Sequence, residues 1–232
     1  MEKSMIRILF QGDSITDGNR YKSEESRWDL NHQIGHSYAY IVAAQLTGKH
    51  PGKYSIINRG ISSDCVDRMA KRWQVDTLDE KPDVLSILLG INGNREYDGQ
   101  FPEGIEAHLE HFESTYRALL DYARSANPSL KLVLIEPFVL PVGRYAEHYG
   151  AFMSVFARKQ RKIREIAEDY GAIFIPTQER LEQLVAECVP ILKANGCDID
   201  PMKYWLWDGV HPTEAFHGVL ADLWIEATKD IL

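Results

Sequence analysis

The stretch that decides the fold of this 232-residue chain lies near its beginning and reads ILFQGDSIT, residues 8–16. Three apolar residues that favour a buried strand are followed closely by Gly-Asp-Ser, which favours a turn. This pattern predicts that Ser14 is presented at the carboxyl end of the first strand. Open α/β sheets place their ligands at that edge, so Ser14 is a candidate nucleophile if a base lies nearby.

Apolar runs of strand length recur along the chain and alternate with segments of helical length. Runs that are apolar throughout are typical of strands buried on both faces of a parallel sheet. Apolar residues recur at helical spacing in 152–170, and Thr213 is a plausible N-cap of a last helix. The predicted strands are Ile6–Phe10, Tyr54–Asn58, Val84–Leu89, Leu130–Glu136 and Ala172–Pro176.

This alternation predicts one three-layer α/β/α domain over residues 1–232, built on a five-stranded parallel sheet. No repeat or Pro/Gly/Ser-rich linker divides the chain. We expect the flavodoxin-like strand order 2-1-3-4-5, in which strands two and three flank strand one. The loops after these three strands would then converge on one crevice. The irregular segments 18–33, 94–102, 137–150 and 195–206 are expected to shape its rim.

Composition narrows the classes of function. The net charge of -8 argues against nucleic acid or an anionic membrane as the main partner. The sequence contains no apolar run of about 18 residues, so it predicts no membrane span. The N-terminus does not resemble a secretory signal. Three cysteines, at positions 65, 188 and 197, fit neither a metal site nor a disulfide framework. The sequence therefore predicts a cytoplasmic protein.

Four separated segments carry the residue types of an activated oxygen nucleophile. Gly12-Asp13-Ser14, Asn58–Ser62 and Gly90–Gly93 each follow a predicted strand, and Trp207–Pro212 precedes the last helix. Each segment alone is more often an ordinary turn. Together they supply a hydroxyl, a carboxylate and an imidazole, and Asp208 and His211 are close enough to project from a single turn.

In these four segments the chain resembles the SGNH hydrolases, also called the GDSL esterase/lipase family. Within the family it most resembles the small intracellular acetylxylan esterases, in residues 12–17, 58–62, 72–73, 135–138 and 207–212. The resemblance implies that Ser14 is the nucleophile, that His211 is the base and that Asp208 orients it. It also implies an oxyanion hole formed by the backbone N–H groups of Ser14 and Gly60 and the side-chain amide of Asn92. Neither a metal nor an organic cofactor is implied.

The resemblance further implies a serine esterase that removes acetyl groups from small carbohydrate esters. Its partner would be a small acetylated saccharide. Whether the chain forms a homo-oligomer is left open. Trp207, Arg59 and Arg95 are expected to bind the sugar, since indole and guanidinium groups stack with sugars or hydrogen-bond to them. Arg72 and Trp73 are further candidates for the rim, although core packing suits Trp73 equally well.

Two alternatives remain open at this stage. The first is a lysophospholipase or thioesterase of the same fold, which would need an extended apolar groove that no rim segment suggests. The second is a non-catalytic carbohydrate-binding protein, because Gly93 stands where the family usually has an aspartate. Loss of that aspartate would affect the support of the Asn92 loop rather than the Asn92 amide itself.

Overall fold

The computed structural model describes residues 5–22, 33–93 and 104–232. A π-helical turn, Gln74–Leu78, and a 3-10 turn, Gly143–Tyr145, accompany the regular elements. The strands are β1 Ile6–Gly12, β2 Tyr54–Asn58, β3 Val84–Leu88, β4 Lys131–Ile135 and β5 Ile173–Ile175. The α-helices are α1 Ser14–Asp17, α2 Tyr38–Lys49, α3 Val66–Trp73, α4 Ile105–Ala126, α5 Tyr149–Asp169, α6 Gln178–Ala194, α7 Pro201–Trp205 and α8 Glu214–Thr228.

The five strands form one parallel sheet in the order β2-β1-β3-β4-β5, which confirms the predicted fold class and strand order. The predicted strand bounds differ by a few residues. Strand β1 continues to Gly12, because that residue still pairs with Leu88 of β3. Strand β5 is shorter than predicted, because the Ala172 N–H is donated back to Ala167 at the end of α5.

Successive side chains of the sheet alternate between two apolar layers, as a doubly covered sheet requires. In β1, Ile8 and Phe10 belong to the layer that contains α2 and α8, whereas Leu9 belongs to the layer that contains α3 and α4. Helices α2 and α8 pack on each other, as do α3 with α4 and α4 with α5. This is the expected three-layer arrangement.

Trp224 fastens α8 to the centre of the sheet. The indole is fully buried, its ring centroid lies 5.2 Å from that of Phe10, and its Nε1–H donates to Ser86 Oγ at 3.0 Å. A buried indole with a satisfied N–H gives a helix a defined position. Asp208 and His211 lie in the loop before α8, so the position of this helix bears on the position of the catalytic candidates.

The first part of the segment 137–150 is core, so the prediction that it forms rim is wrong for residues 137–142, whereas most of residues 143–150 are exposed. Phe138, Val139 and Leu140 are buried, and the Leu140 N–H donates to Gly209 O at 2.8 Å. The apolar run that follows β4 therefore supports the loop of Asp208 and His211 from below. The predicted rim segment 94–102 lies outside the described residues.

The structure modifies two helix predictions. Helix α5 begins at Tyr149 and ends at Asp169, slightly earlier at both ends than expected. Thr213 does hold the N-cap position of α8, but it makes no side-chain cap. Its Oγ1 donates to the carbonyl of Tyr204 at 2.7 Å instead, which ties the start of α8 to α7.

Among residues 5–22, 33–93 and 104–232 there is neither a membrane-spanning helix nor a metal-binding cluster. No helix in these ranges is both long and apolar enough to span a bilayer. Nor does any group of three or more histidine, cysteine, aspartate or glutamate side chains there have the arrangement of a metal site.

Candidate active site

Ser14 is the first residue of a single helical turn that begins directly after β1. Asp13 caps this turn, because its Oδ1 accepts the Ile15 N–H at 3.0 Å. The cap turns the chain sharply at the end of the strand and presents the Ser14 side chain at the sheet edge. Ser14 Oγ lies 2.8 Å from His211 Nε2, although the two residues are 197 positions apart.

Asp208 organises the loop that carries His211. Its Oδ2 lies 2.7 Å from His211 Nδ1, while its Oδ1 accepts the backbone N–H groups of Val210 at 3.0 Å and His211 at 2.8 Å. An antiparallel bridge between Leu206 and Pro212 closes the base of the loop. One carboxylate therefore fixes both the loop backbone and the plane of the imidazole.

The charge of Asp208 favours a catalytic role for the histidine. Partial burial alone would raise the pKa of this carboxyl, but hydrogen bonds from the His211 ring and from the His211 and Val210 N–H groups lower it to about 2. Asp208 is therefore ionised at neutral pH. An ionised partner on Nδ1 assigns the proton to that nitrogen and leaves Nε2 free to accept the Ser14 proton.

His217 is a second histidine close to this charge network, and sequence reasoning missed it. It lies on α8, and its Nδ1 accepts the Tyr38 N–H at 3.1 Å. Burial is the main cause that lowers the pKa of His217 to about 4, and the nearby His211 contributes in the same direction. His217 is therefore neutral at working pH and adds no positive charge that would oppose protonation of His211.

Two of the three expected oxyanion donors have N–H groups to offer. The Ser14 N–H has no acceptor within the described ranges, since it belongs to the first turn of α1. Asn92 Nδ2 donates one hydrogen to the Asp64 carbonyl at 3.0 Å, and this bond orients the amide. A primary amide carries two hydrogens, so the second remains for a substrate oxygen.

The expectation for Gly60 needs correction. Its N–H is already donated to Asn58 Oδ1 at 2.8 Å. A Cβ on Gly60 would lie 2.5 Å from Asp17 N and 2.9 Å from the carbonyl carbon of Thr16. Glycine stands here because α1 packs against this backbone, and the structure does not offer its N–H to a substrate.

Ser63 presents a backbone N–H in the same loop, and nothing in the sequence singled it out. It is the third residue of the turn Ile61–Asp64, which is closed by the Asp64 N–H donating to Ile61 O at 3.1 Å. Its φ of +67° is unusual for a residue that is not glycine. Within the described residues its N–H has no acceptor, and Asn92 contacts the next residue of the turn.

The expected sugar-binding residues have three different outcomes. Trp207 stacks on the His211 ring, with centroids 5.5 Å apart and planes inclined by 20°, and it remains 60% exposed. Arg59 Nε donates to Glu80 at 2.9 Å, and a role of Arg59 in sugar binding stays a prediction. Arg95 lies outside the described residues.

Comparisons with known proteins agree with this geometry. The profile of the GDSL-like Lipase/Acylhydrolase family matches residues 10–219. The chain is 30% identical over 225 residues to an acetylxylan esterase from Geobacillus stearothermophilus, covering 93% of this chain and 90% of the esterase. A crystal structure described as a GDSL-like lipase from Parabacteroides merdae superimposes with a TM-score of 0.79 at 35% identity, covering 98% and 97% of the two chains.

The crystal structure of Axe2, an acetylxylan esterase from G. stearothermophilus, superimposes with a TM-score of 0.69 at 26% identity, covering 98% of this chain and 96% of Axe2. Three further Axe2 structures are catalytic mutants, in which a serine, an aspartate or a histidine is replaced by alanine. In Axe2 the aspartate precedes the histidine by three positions, and a tryptophan directly precedes the aspartate. Trp207, Asp208 and His211 repeat that spacing.

Proposed function

The chain belongs to the GDSL-like lipase/acylhydrolase family, and the relative to which it is 30% identical is an acetylxylan esterase. We propose that it removes acetyl groups from small carbohydrate esters by way of an acyl-enzyme. The observation that carries this proposal is the continuous hydrogen-bond chain from Ser14 through His211 to Asp208. A serine without such a base would be a weak nucleophile.

The first half of the reaction forms the acyl-enzyme. His211 Nε2 takes the proton of Ser14 as Oγ attacks the acetyl carbonyl, and the ionised Asp208 stabilises the resulting imidazolium. The carbonyl oxygen becomes an oxyanion, for which the Ser14 N–H and the free hydrogen of Asn92 Nδ2 are the proposed donors. When the intermediate collapses, His211 gives its proton to the departing sugar oxygen, and the acetyl group stays on Ser14.

The second half reverses these roles with water as the nucleophile. His211 Nε2 takes a proton from water, and the hydroxide oxygen attacks the acetyl carbon on Ser14 Oγ. The same donors serve the second oxyanion. Its collapse returns the proton from His211 to Ser14 Oγ and releases acetic acid, which ionises to acetate and a proton, so each cycle consumes one ester and one water.

Trp207 supports a carbohydrate as the leaving group. One face of its indole covers the His211 ring, and the side chain is exposed enough to leave apolar area for a second ring. Exposed indoles offer a flat surface on which the C–H groups of a sugar ring can pack. A tryptophan also precedes the catalytic aspartate in Axe2, which is described as an acetyl-xylooligosaccharide esterase.

The alternatives have less support. A lysophospholipase or thioesterase would need an apolar channel beside Ser14. An apolar groove of the described residues lies between α3 and α4, lined by Trp73, Leu78, Leu119 and Tyr122, and not at the triad. A non-catalytic carbohydrate-binding protein would not need a serine, a histidine and an ionised aspartate in hydrogen-bond contact.

The cytoplasm remains the compartment we propose, because the three cysteines are unpaired in the structure. In that compartment the substrate would be an imported acetylated oligosaccharide rather than an intact polymer.

The test combines active-site labelling with a series of esters. A fluorophosphonate probe should label the wild-type chain and the control Ser114→Ala, whose serine is exposed on α4, but not Ser14→Ala. Aryl esters with acyl groups of two to eight carbons, and acetylated xylo-oligosaccharides, are then compared by kcat/KM. We expect a maximum at acetyl, since a closed pocket loses affinity with each added methylene.

Labelling of the Ser14→Ala variant, or turnover by it, would contradict the assignment of Ser14 as the nucleophile. A buried methylene contributes about 0.8 kcal/mol in an apolar channel. A maximum at six or eight carbons would therefore replace the acetylesterase with the lipid or thioester alternative. A wild-type chain that neither labels nor turns over any ester would leave the carbohydrate-binding alternative.

A further inference from the structure

The guanidinium of Arg72 lies behind the proposed oxyanion hole without belonging to the triad. Arg72 is near the end of α3, and its side chain is 16% exposed. It faces inward, against the expectation that it would form part of the rim. Three of the four groups that it contacts, the Gly12 carbonyl, the Arg59 carbonyl and the Asp64 carboxylate, lie on segments that carry Ser14 or contact Asn92. Most of its neighbours therefore belong to parts of the fold that must keep a fixed geometry.

The first of these groups is the carboxylate of Asp64. Arg72 Nε and Nη2 contact Asp64 Oδ2 at 2.7 and 2.6 Å, and the carboxylate is only 4% exposed. Burial raises the pKa of this carboxyl, and the charge of Arg72 opposes the shift. A buried carboxylate needs such a partner, so Asp64 depends on Arg72 for its position.

Asp64 in turn orients the amide of Asn92. Its backbone carbonyl accepts from Asn92 Nδ2 at 3.0 Å, and no other acceptor for that amide lies in the described residues. The carbonyl and the carboxylate belong to the same residue, so a displacement of the Asp64 side chain also moves the group that aims Asn92. The contact runs from Arg72 through Asp64 to Asn92.

The remaining contacts of Arg72 reach the ends of β1 and β2 and the carboxylate of Asp76. Nη1 donates to the carbonyl of Arg59 at 2.7 Å, just after β2, and to Asp76 Oδ2 at 3.1 Å. Nη2 lies 3.5 Å from the carbonyl of Gly12, two residues before Ser14. One planar group therefore connects the end of β1, the end of β2 and the Asp64 turn.

We propose that Arg72 is a positioning residue for transition-state stabilisation, because it holds through Asp64 the carbonyl that orients Asn92 relative to Ser14. This inference rests on the proposed function. Lysine would keep the charge but lacks the planar set of N–H donors of a guanidinium. It could therefore not hydrogen-bond to Asp64, Arg59 and Gly12 together. The effect should appear in kcat rather than in KM, since the oxyanion exists only in the transition state.

A double-mutant cycle on 4-nitrophenyl acetate tests this inference. Arg72→Lys should lower kcat by about 10- to 100-fold, the range expected when a catalytic group is misplaced by a fraction of an ångström, with KM within about threefold. In the Asn92→Ala background the same substitution should change kcat by less than about twofold, because there is no amide left to misplace. The matched control is Arg117→Lys, which alters an ion pair with Glu113 and Asp169 far from the site.

An equal loss in both backgrounds would overturn the inference, and so would a kcat of Arg72→Lys within about twofold of wild type. If Arg72→Lys does not give a native circular dichroism spectrum, Asp64→Asn replaces it in the same cycle, with the same expectations and the same contradicting outcomes. The wild-type and Ser14→Ala activities test the proposed function separately, so its failure is distinguishable from failure of this inference.

Discussion

Asp208 binds His211 twice, through Oδ2 to the ring Nδ1 at 2.7 Å and through Oδ1 to the backbone N–H at 2.8 Å. Oδ1 also accepts the Val210 N–H. The two oxygens therefore have separate tasks, since one shapes the loop and the other sets the histidine tautomer. An amide in the place of this carboxylate could not perform both tasks equally well.

For Asp208→Asn we accordingly expect a folded enzyme with kcat lowered by about 10⁴-fold. The amide oxygen must take the Oδ1 place, because two N–H groups point there. The NH₂ group then faces His211 Nδ1 and forces the ring proton onto Nε2. A protonated Nε2 cannot accept the Ser14 proton. Circular dichroism and hydrolysis of an aryl acetate check both parts, and turnover within about tenfold of wild type would contradict the tautomer argument.

Gly60→Ala should act on stability. The new Cβ would lie 2.5 Å from Asp17 N, and backbone cannot yield as a flexible side chain can. We expect the free energy of unfolding to fall by about 1–3 kcal/mol, which thermal and denaturant unfolding would measure.

The matched control for Gly60→Ala is Gly48→Ala. Gly48 lies within α2, where a Cβ would meet no atom within 4 Å. That change should be neutral or stabilising by up to about 1 kcal/mol, since alanine is the better helix former. An unchanged Tm for Gly60→Ala would argue against the close packing of α1 on this loop.

Gly93→Asp, which introduces the residue usual in the family, should not improve this enzyme. Gly93 has a φ of +78°, and a Cβ there would lie 3.0 Å from Cys65 Cβ. Gly52→Asp is the control, because it has nearly the same φ, +76°, and no atom within 4 Å. In both variants backbone strain should lower the free energy of unfolding, measured by thermal and denaturant unfolding, by about 1 kcal/mol. Gly93→Asp should lower it further because its Cβ also meets Cys65. Equal losses would show that Cys65 does not restrict this position.

Asp13→Asn should stabilise the protein in a manner that depends on pH. Burial raises the pKa of Asp13 to about 7, from 3.8 in an exposed carboxyl. Between these values the folded state holds a proton that the unfolded state has lost, so this group lowers the free energy of unfolding as pH rises. Asparagine keeps the cap on Ile15 without the charge.

The gain in the free energy of unfolding from Asp13→Asn should therefore be larger at pH 8.5 than at pH 4, by on the order of 2–4 kcal/mol. Unfolding at both pH values measures it, with the exposed Asp198→Asn as the control. A gain that is the same at both pH values would mean that Asp13 ionises normally in the folded protein.

The sequence by itself determined the sheet and the triad candidates. Apolar runs are local signals, so the five strands could be predicted from the chain with small errors at the ends. Their order was an expectation from the flavodoxin-like fold, and the sheet confirms it. Ser14, Asp208 and His211 could be identified because catalysis demands particular residue types at the ends of predictable elements. The structure places these three in hydrogen-bond contact.

Tertiary structure alone decided how the neighbouring groups are used. A glycine after a strand, such as Gly60, is compatible with an oxyanion donor and with close packing, and only the position of α1 distinguishes the two. Arg59 and Arg72 both looked like rim residues, yet their partners are Glu80 and Asp64. The direction of a long charged side chain depends on where distant carboxylates and carbonyls come to lie, and no local pattern of residues records that.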